Sequence, residues 1–320
     1  MSPGKIIALS GGVGGAKLVL GLSHVLPDDR LMVVTNTGDD FDHFGLRICP
    51  DTDTVIYTLA DLADKTKGWG RADESWTFMK TTRSLGGEDW FNLGDGDLAL
   101  HVMRTQALAR GQSLSDVTAS VSKAWNIGVQ IVPMCDQAVA TTVKTETGSL
   151  AFQHYFVRDQ CQPVVTGFDF EGIDQATANP IALDALGQGP DAIILTPSNP
   201  YVSIDPILKT PGMRPAIEAS DAPVIAVSPI VGGAAIKGPA AKMMSELGVP
   251  ATVLEVAKHY SGLVDAMVID EIDGHLASAI QDLGMEVSVV PTVMTGLEDK
   301  IALAKDVLAL VRRLKSAGPS

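Results

Sequence analysis

Carboxylates gather in the segment NTGDDFDHFGLRICPDTDT, residues 36–54, which carries Asp39, Asp40, Asp42, Asp51 and Asp53. Crowded acids repel one another, so such a cluster is costly unless a cation or a basic group sits among them. An oxygen-only set without His or Cys suits magnesium, which takes one or two carboxylates and completes its shell with phosphate oxygens. Asp42 reads as a solvated loop acid. Asp40, Asp51 and Asp53 lie near apolar strand ends and are the expected magnesium ligands, with Asp40 and Asp53 also the expected catalytic residues. A second acidic turn, LGDGDLALH, carries Asp95 and Asp97. Asp97 fits a helix N-cap as well as it fits a substrate contact. His101 follows on the same stretch, and a lone histidine is more often a structural hydrogen-bonder than a catalyst.

Glycine-rich turns supply the complementary chemistry. SGGVGGAK runs from Ser10 through Gly11, Gly12, Gly14 and Gly15 to Lys17. It is not the dinucleotide fingerprint, because Lys17 stands where a third glycine belongs. It is not a P-loop, because Leu18 follows the lysine where a hydroxyl is needed. It still offers backbone N–H groups at a helix start, which hold a phosphate without net positive charge, and Gly14 and Gly15 would let the backbone approach closely. Thr37 stands at the end of the next strand. Ser198 and Asn199 lie between prolines after another strand. The Asn amide can both donate to and accept from a base edge, although an Asx turn explains it equally well. A second glycine junction, SPIVGGAAIKGPAAK, adds Gly232 and Lys237 as a second anion site.

The elements that must position these groups follow from pattern. KIIALSGG is a buried strand entering a glycine turn, AKLVLGLSHVL has helical spacing, and LMVVTNTGDD is a second strand. This β-α-β opening favours a parallel sheet with right-handed crossovers, whose ligands bind beyond the C-terminal strand ends. Residues 53–130 read mostly helical, with Ser113 and Asp116 forming a capping box. AVATTVKTETGSLAFQHYFVR alternates and turns at Thr147-Gly148 as a hairpin. Strands resume in DAIILTPSNP, APVIAVSPIVGG, GLVDAMVID and MEVSVVPT, and an amphipathic helix closes the chain. The expected fold class is α/β: one doubly wound, Rossmann-like, mostly parallel sheet over residues 1–320, with a helical and β-hairpin insertion over 54–160.

Composition narrows the function. The 320 residues are 46% hydrophobic and 19% charged, with a net charge of -14, so nucleic acid and anionic membranes are repelled. An anionic substrate must then be met by local groups. Three cysteines with no C-x-x-C pair argue against a disulfide framework or a zinc site. No apolar run reaches the length of a membrane span, and no signal segment opens the chain, so a cytoplasmic protein is expected. There is no G-x-S-x-G elbow, no H-E-x-x-H and no Cys/His pair. What remains is phosphate chemistry run by positioning and a cation.

The motifs SGGVGGAK, NTGDD, LRICPDTDT, LGDGDLALH, FQHYFVR, PSNPYVSIDPIL and VSPIVGGAAIKGPAAKM occur in an order that resembles the 2-phospho-L-lactate transferase family of coenzyme F420 biosynthesis, over nearly the whole chain. The resemblance implies a magnesium-dependent transferase. It would move a phospholactyl, phosphoenolpyruvyl or phosphoglyceryl group from a guanosine diphosphate ester to the ribityl hydroxyl of the deazaflavin FO, releasing GMP. It also implies that Asp53 contacts FO and that the glycine loop handles the donor diphosphate. The expected partners are FO and the guanylated donor, and the expected assembly is a homodimer. One departure stands out. Family members often carry an arginine within the G-D-x-D turn and a basic residue before it, whereas this chain has Gly96 and Asn92, which implies an altered choice of acid. A non-catalytic nucleotide-sugar-binding regulator of the same superfamily is the alternative, and the acidic cluster favours the enzyme. A dinucleotide-dependent oxidoreductase is disfavoured by Lys17.

Overall fold

The structure, a computed structural model, describes residues 4–236 and 238–317. Seven strands form the central sheet: β1 (Ile6–Ser10), β2 (Leu31–Thr35), β3 (Gln130–Pro133), β4 (Ala192–Leu195), β5 (Val224–Val227), β6 (Ala266–Ile269) and β7 (Glu286–Val289). Their spatial order is β3-β2-β1-β4-β5-β6-β7, and every neighbouring pair is parallel. This is the doubly wound order, in which the winding reverses between β1 and β4.

Both faces of the sheet are covered, which is why its inner strands read as unbroken apolar runs rather than alternating ones. Ile7, Leu9, Met32 and Val34 join the core on one face. Their neighbours Ile6, Ala8, Leu31 and Val33 join the core on the other. The β1–β2 register pairs Ile6 with Leu31 and Ile7 with Met32. A one-residue slip would send each set to the wrong face. On the second face, helix α1 (Gly12–Val25) packs tightly against the C-terminal helix Leu297–Ala317. Gly21 permits this contact, since a Cβ there would fall 2.0 Å from the Lys300 carbonyl oxygen.

Two excursions leave the sheet. Between β2 and β3 lie a small hairpin, Phe41–His43 with Leu46–Ile48, and four helices: α2 (Pro50–Leu59), α3 (Thr77–Ser84), α4 (Asp95–Ala109) and α5 (Leu114–Ala124). The capping box of Ser113 and Asp116 starts α5 as expected. Between β3 and β4 the expected hairpin forms from Ala140–Thr145 and Gly148–Ala151, but a third antiparallel strand, Val165–Glu171, joins it. FQHYFVR does not continue the hairpin. Residues His154–Arg158 make a wide helical turn instead, which puts Phe152 and Phe156 in a stack. Because β3 falls inside the 54–160 span, the insertion is two separate excursions rather than one. Among the described residues no helix is long and apolar enough to cross a membrane.

Candidate functional site

A cavity of about 530 Å³ opens at the C-terminal ends of the strands. The turn after β1 and the turn after β4 both line it, so it sits where the winding reverses. Gly11, Gly12, Gly14, Lys17, Asp51, Asp53, Asn92, Asp97, Ser198 and Asn199, all expected at a site, meet there. Ser10, Gly15, Thr37, Asp40, Asp95 and Gly232 do not line it, and Lys237 lies outside the described residues.

The glycine turn is built around the neighbouring β4 turn. Ser198 Oγ donates to the Gly11 carbonyl at 2.6 Å and accepts from the Gly11 amide at 3.1 Å. A Cβ at Gly14 would fall 2.3 Å from the Pro197 carbonyl oxygen. One at Gly15 would fall within 2.4–2.6 Å of the Ser10, Ser198 and Thr196 hydroxyls. The space that a side chain at either glycine would need is therefore filled by the protein itself. The Gly12 amide donates to Asp51 Oδ1 at 2.7 Å. Val13 and Gly14, next in the first turn of α1, have no intrahelical acceptor for their N–H groups and line the cavity, which makes this end suited to an anion. Lys17 reaches along the wall, where Nζ donates to the Met294 carbonyl at 2.8 Å.

The carboxylates divide differently from the sequence expectation. Asp53 is held by both guanidinium nitrogens of Arg104, with Nη1 donating to Oδ2 at 3.1 Å and Nη2 to Oδ1. Arg104 is itself buried, and although burial alone would lower its pKa, the Asp53 charge raises it well above its usual value. Asp40 lies beneath the wall, 4.0 Å from Arg47 Nε, and burial pushes it up to about 7 despite that cation. Asp40, Asp51 and Asp53 are thus not brought together as one ligand set: Arg104 already balances Asp53, and Asp40 is walled off. Among the described residues no cluster of three or more His, Cys, Asp or Glu side chains is arranged to hold a metal ion.

Asp39 also lines the cavity, with Asp51 as its neighbouring carboxylate. Asp39 is buried and its Oδ1 has no hydrogen-bond partner among the described residues. Burial first, and then the Asp51 charge, push its carboxyl well above the usual range. Burial likewise pushes Asp51 up to about 6, although the Asn36 side chain, 2.9 Å away, and the Gly12 amide pull it down. Two neighbouring carboxylates whose ionisation burial opposes, one with an unsatisfied oxygen, fit a divalent cation whose remaining ligands come from a phosphate. Sequence reasoning missed Asp39 and Asn36. The doubled aspartate of NTGDD was the available signal, but not which member faces inward.

The opposite wall comes from the first excursion. Tyr57 donates its hydroxyl to Asp97, and His101 Nε2 lies 3.2 Å from the same carboxylate. Burial opposes ionisation of Asp97, but these partners outweigh it and hold its pKa below the usual value. Asp95 faces away and caps α3, accepting from the amides of Thr77 and Phe78 at 3.1 and 3.0 Å. Glu74 caps α4 from a loop, accepting from the amides of Gly96 and Asp97 at 2.6 and 2.8 Å. A Cβ at Gly96 would fall 2.2 Å from Arg71 Nη1, so a guanidinium occupies the space a side chain there would need. Arg83 donates to Asn92 at 2.8 Å. Asn199 is an Asx cap: its Oδ1 accepts from the amides of Tyr201 and Val202. Gly232 is in a turn where its amide donates to Asp273 at 2.9 Å. Phe91, Phe152, Phe156 and Trp69, none of them expected, add aromatic side chains to the cavity lining.

Comparison with known proteins agrees with this architecture. The family described as 2-phospho-L-lactate transferase CofD matches residues 6–292. The chain is 42% identical over 318 residues to the phosphoenolpyruvate transferase of Kitasatospora aureofaciens, covering 97% of this chain and 99% of that one. It is 37% identical over 303 residues to the 2-phospho-L-lactate transferase of Methanosarcina mazei, covering 95% and 99%. Among solved structures, a UPF0052 family protein of Bacillus halodurans superposes with a TM-score of 0.63 at 16% identity, covering 96% of this chain and 99% of that one. That last likeness concerns the fold alone.

Proposed function

Because the chain belongs to the 2-phospho-L-lactate transferase family, we propose that it transfers a phosphorylated three-carbon acid from a guanosine diphosphate ester to the ribityl hydroxyl of the deazaflavin FO, in coenzyme F420 biosynthesis. The observation that carries the proposal is the cavity at the reversal point, whose lining combines an anion-suited helix start, the neighbouring acids Asp39 and Asp51 and several aromatic side chains. The acid transferred is phosphoenolpyruvate, a reading supported by relatives that bear the name phosphoenolpyruvate transferase.

In the transfer, the acceptor hydroxyl oxygen forms a bond to the phosphorus that bears the acid. The bond from that phosphorus to the bridging oxygen breaks, GMP leaves with the bridging oxygen, and the hydroxyl proton passes to solvent. The first-turn amides of α1 receive the donor diphosphate. Asp39 and Asp51 would hold magnesium, which would neutralise the charge that develops on the departing GMP. Asn36 and the Gly12 amide fix the Asp51 carboxylate so that one geometry is presented. Asp53, kept in place by Arg104, and Asp97, kept in place by Tyr57 and His101, offer acceptors to the ribityl hydroxyls. Alignment of the attacking oxygen is the main contribution, because phosphoryl-type transfer depends heavily on it.

The test is to incubate the protein with FO, magnesium and equal amounts of the lactyl, enolpyruvyl and glyceryl donors, and to identify products by mass. The enolpyruvyl product should dominate. A dominant lactyl product would overturn the assignment of the acid, and no FO-derived product from any donor would overturn the transferase reading.

A further inference from the structure

The loop from Asp64 to Gly70 displays Trp69 in an unusual way for an indole. Trp69 is 54% exposed, the most open of the tryptophans named among the exposed hydrophobics, yet it lines the cavity. It stands between Gly68 and Gly70, whose φ angles of +73° and +70° fold the chain back on itself. The base of the loop is tied down. Asp64 Oδ1 accepts from the amides of Thr66 and Lys67, both at 2.9 Å. The Asp64 carbonyl accepts from the Gly68 amide at 2.8 Å, and the Asp64 amide donates to the Gly70 carbonyl at 3.0 Å. Ala63 and Arg71 close the loop as an antiparallel bridge. Arg71 then pairs with Glu74 at 3.2 Å, and Glu74 caps α4. An exposed aromatic side chain on a braced arm at a cavity mouth is apolar area held ready for a partner.

The Lys67 ammonium lies between two indoles, 5.9 Å from the Trp69 centroid and 5.0 Å from that of Trp76, while Trp69 itself stays half-exposed at the cavity. A flat heteroaromatic ring suits that indole, and the donor and the acceptor each bring one. Position separates them. Trp69 lines the cavity together with Tyr57, Phe91, Asn92 and Asp97, all from the excursion between β2 and β3. The Ser198–Asn199 and Ser228–Pro229 turns belong to β4 and β5, across the reversal point. A diphosphate seated at the start of α1, between these two groups of residues, would send one ring to each.

We propose that Trp69 is the stacking platform for the tricyclic ring of the acceptor, and so a specificity-determining residue of the transfer. The proposal rests on the transferase reading above. It assigns to the exposed arm the selection of a planar acceptor, while the carboxylates behind it handle the hydroxyl and the diphosphate.

The test is calorimetric titration of FO and, separately, of GDP with magnesium, into the wild-type protein, Trp69→Phe and Trp69→Ala. Trp69→Ala should weaken FO binding by about five- to a hundredfold, the range for loss of one aromatic stacking partner. Trp69→Phe should recover most of that loss. GDP affinity and the thermal midpoint should stay at wild-type values in both variants, as a merely structural role for the indole would not allow. FO bound equally by wild type and Trp69→Ala would overturn the proposal and leave the transferase reading standing. Loss of GDP affinity in place of FO affinity would overturn it by assigning the indole to guanine. Failure of the wild-type protein itself to bind FO would overturn the transferase reading, and the platform with it.

Discussion

Neighbouring aspartates in this protein have different surroundings, and substitution should separate them. Asp39 and Asp51 face the cavity, burial pushing both carboxyls up and the Asp51 charge adding to the rise at Asp39, whereas Asp40 is sealed beneath the wall with Arg47 as its nearest cation. Asp39→Asn and Asp51→Asn should each lower turnover by about two orders of magnitude or more, the usual effect of removing a charge-stabilising group. Asp40→Asn should keep turnover within an order of magnitude of wild type, measured under saturating donor and FO. Equal losses at all three positions would remove the distinction. Asp53 makes a different prediction, because its partner is as buried as it is. Arg104→Met leaves a carboxylate buried without its cation, and breaking such a pair costs about 3–5 kcal/mol. Urea unfolding of Arg104→Met, Asp53→Asn and the double variant should give a double variant less destabilised than the sum of the singles. Strict additivity would mean that the two side chains do not depend on each other.

At the scale of elements, the junction of β1 and α1 carries the clearest steric demand. A methyl group at Gly14 would meet a backbone oxygen of the β4 turn, which cannot rotate out of the way as a side chain could. Gly14→Ala should therefore destabilise the fold by about 1–3 kcal/mol, the cost of overpacking a close contact, and weaken GDP binding by moving the helix start. A thermal midpoint and a GDP affinity both unchanged would show that the turn yields freely. The sequence announced this junction through its glycines, but its meaning was only half legible. Spacing revealed a tight strand–helix turn, while the atoms that fill the glycine space come from Pro197, far along the chain. The same limit explains the carboxylates. The cluster was visible in NTGDD and PDTDT, yet Arg104 neutralises Asp53 from another helix, and no local pattern joins positions so far apart. The sheet was more legible, because two-sided burial writes itself into apolar runs such as IIAL and LMVV. FQHYFVR was misread as strand because its aromatic and β-branched residues favour strands, whereas in the fold they form a turn that aims two phenylalanines at the cavity.

The whole molecule is strongly acidic, with 38 Asp and Glu against 24 Lys and Arg, and the donor it is proposed to bind is an anion. Local groups must then reverse a repulsive field. The helix start of α1 contributes only partial positive charge, and Lys17 donates to Met294 at the wall. Asp51, which accepts from the Gly12 amide at the start of α1, and its neighbour Asp39 would add to that repulsion when ionised. A divalent cation between them converts this repulsion into attraction, so nucleotide affinity should depend on it more steeply than on any single side chain. Calorimetry of GDP in magnesium and then in excess EDTA should show affinity falling by about tenfold or more on chelation, as expected when phosphate oxygens complete a carboxylate-held magnesium shell. Sodium chloride should not restore it. Salt screens over a Debye length of about 8 Å at physiological strength, whereas a phosphate and a carboxylate that share a cation stand closer together than that. The same reasoning applies to stability: a ligand that binds only the folded chain raises its melting temperature by an amount that grows with the logarithm of its affinity, so GDP should raise the midpoint in magnesium and have a smaller effect in EDTA. A midpoint shift of equal size under both conditions would mean that the diphosphate is held by backbone amides alone and that the paired acids serve another purpose.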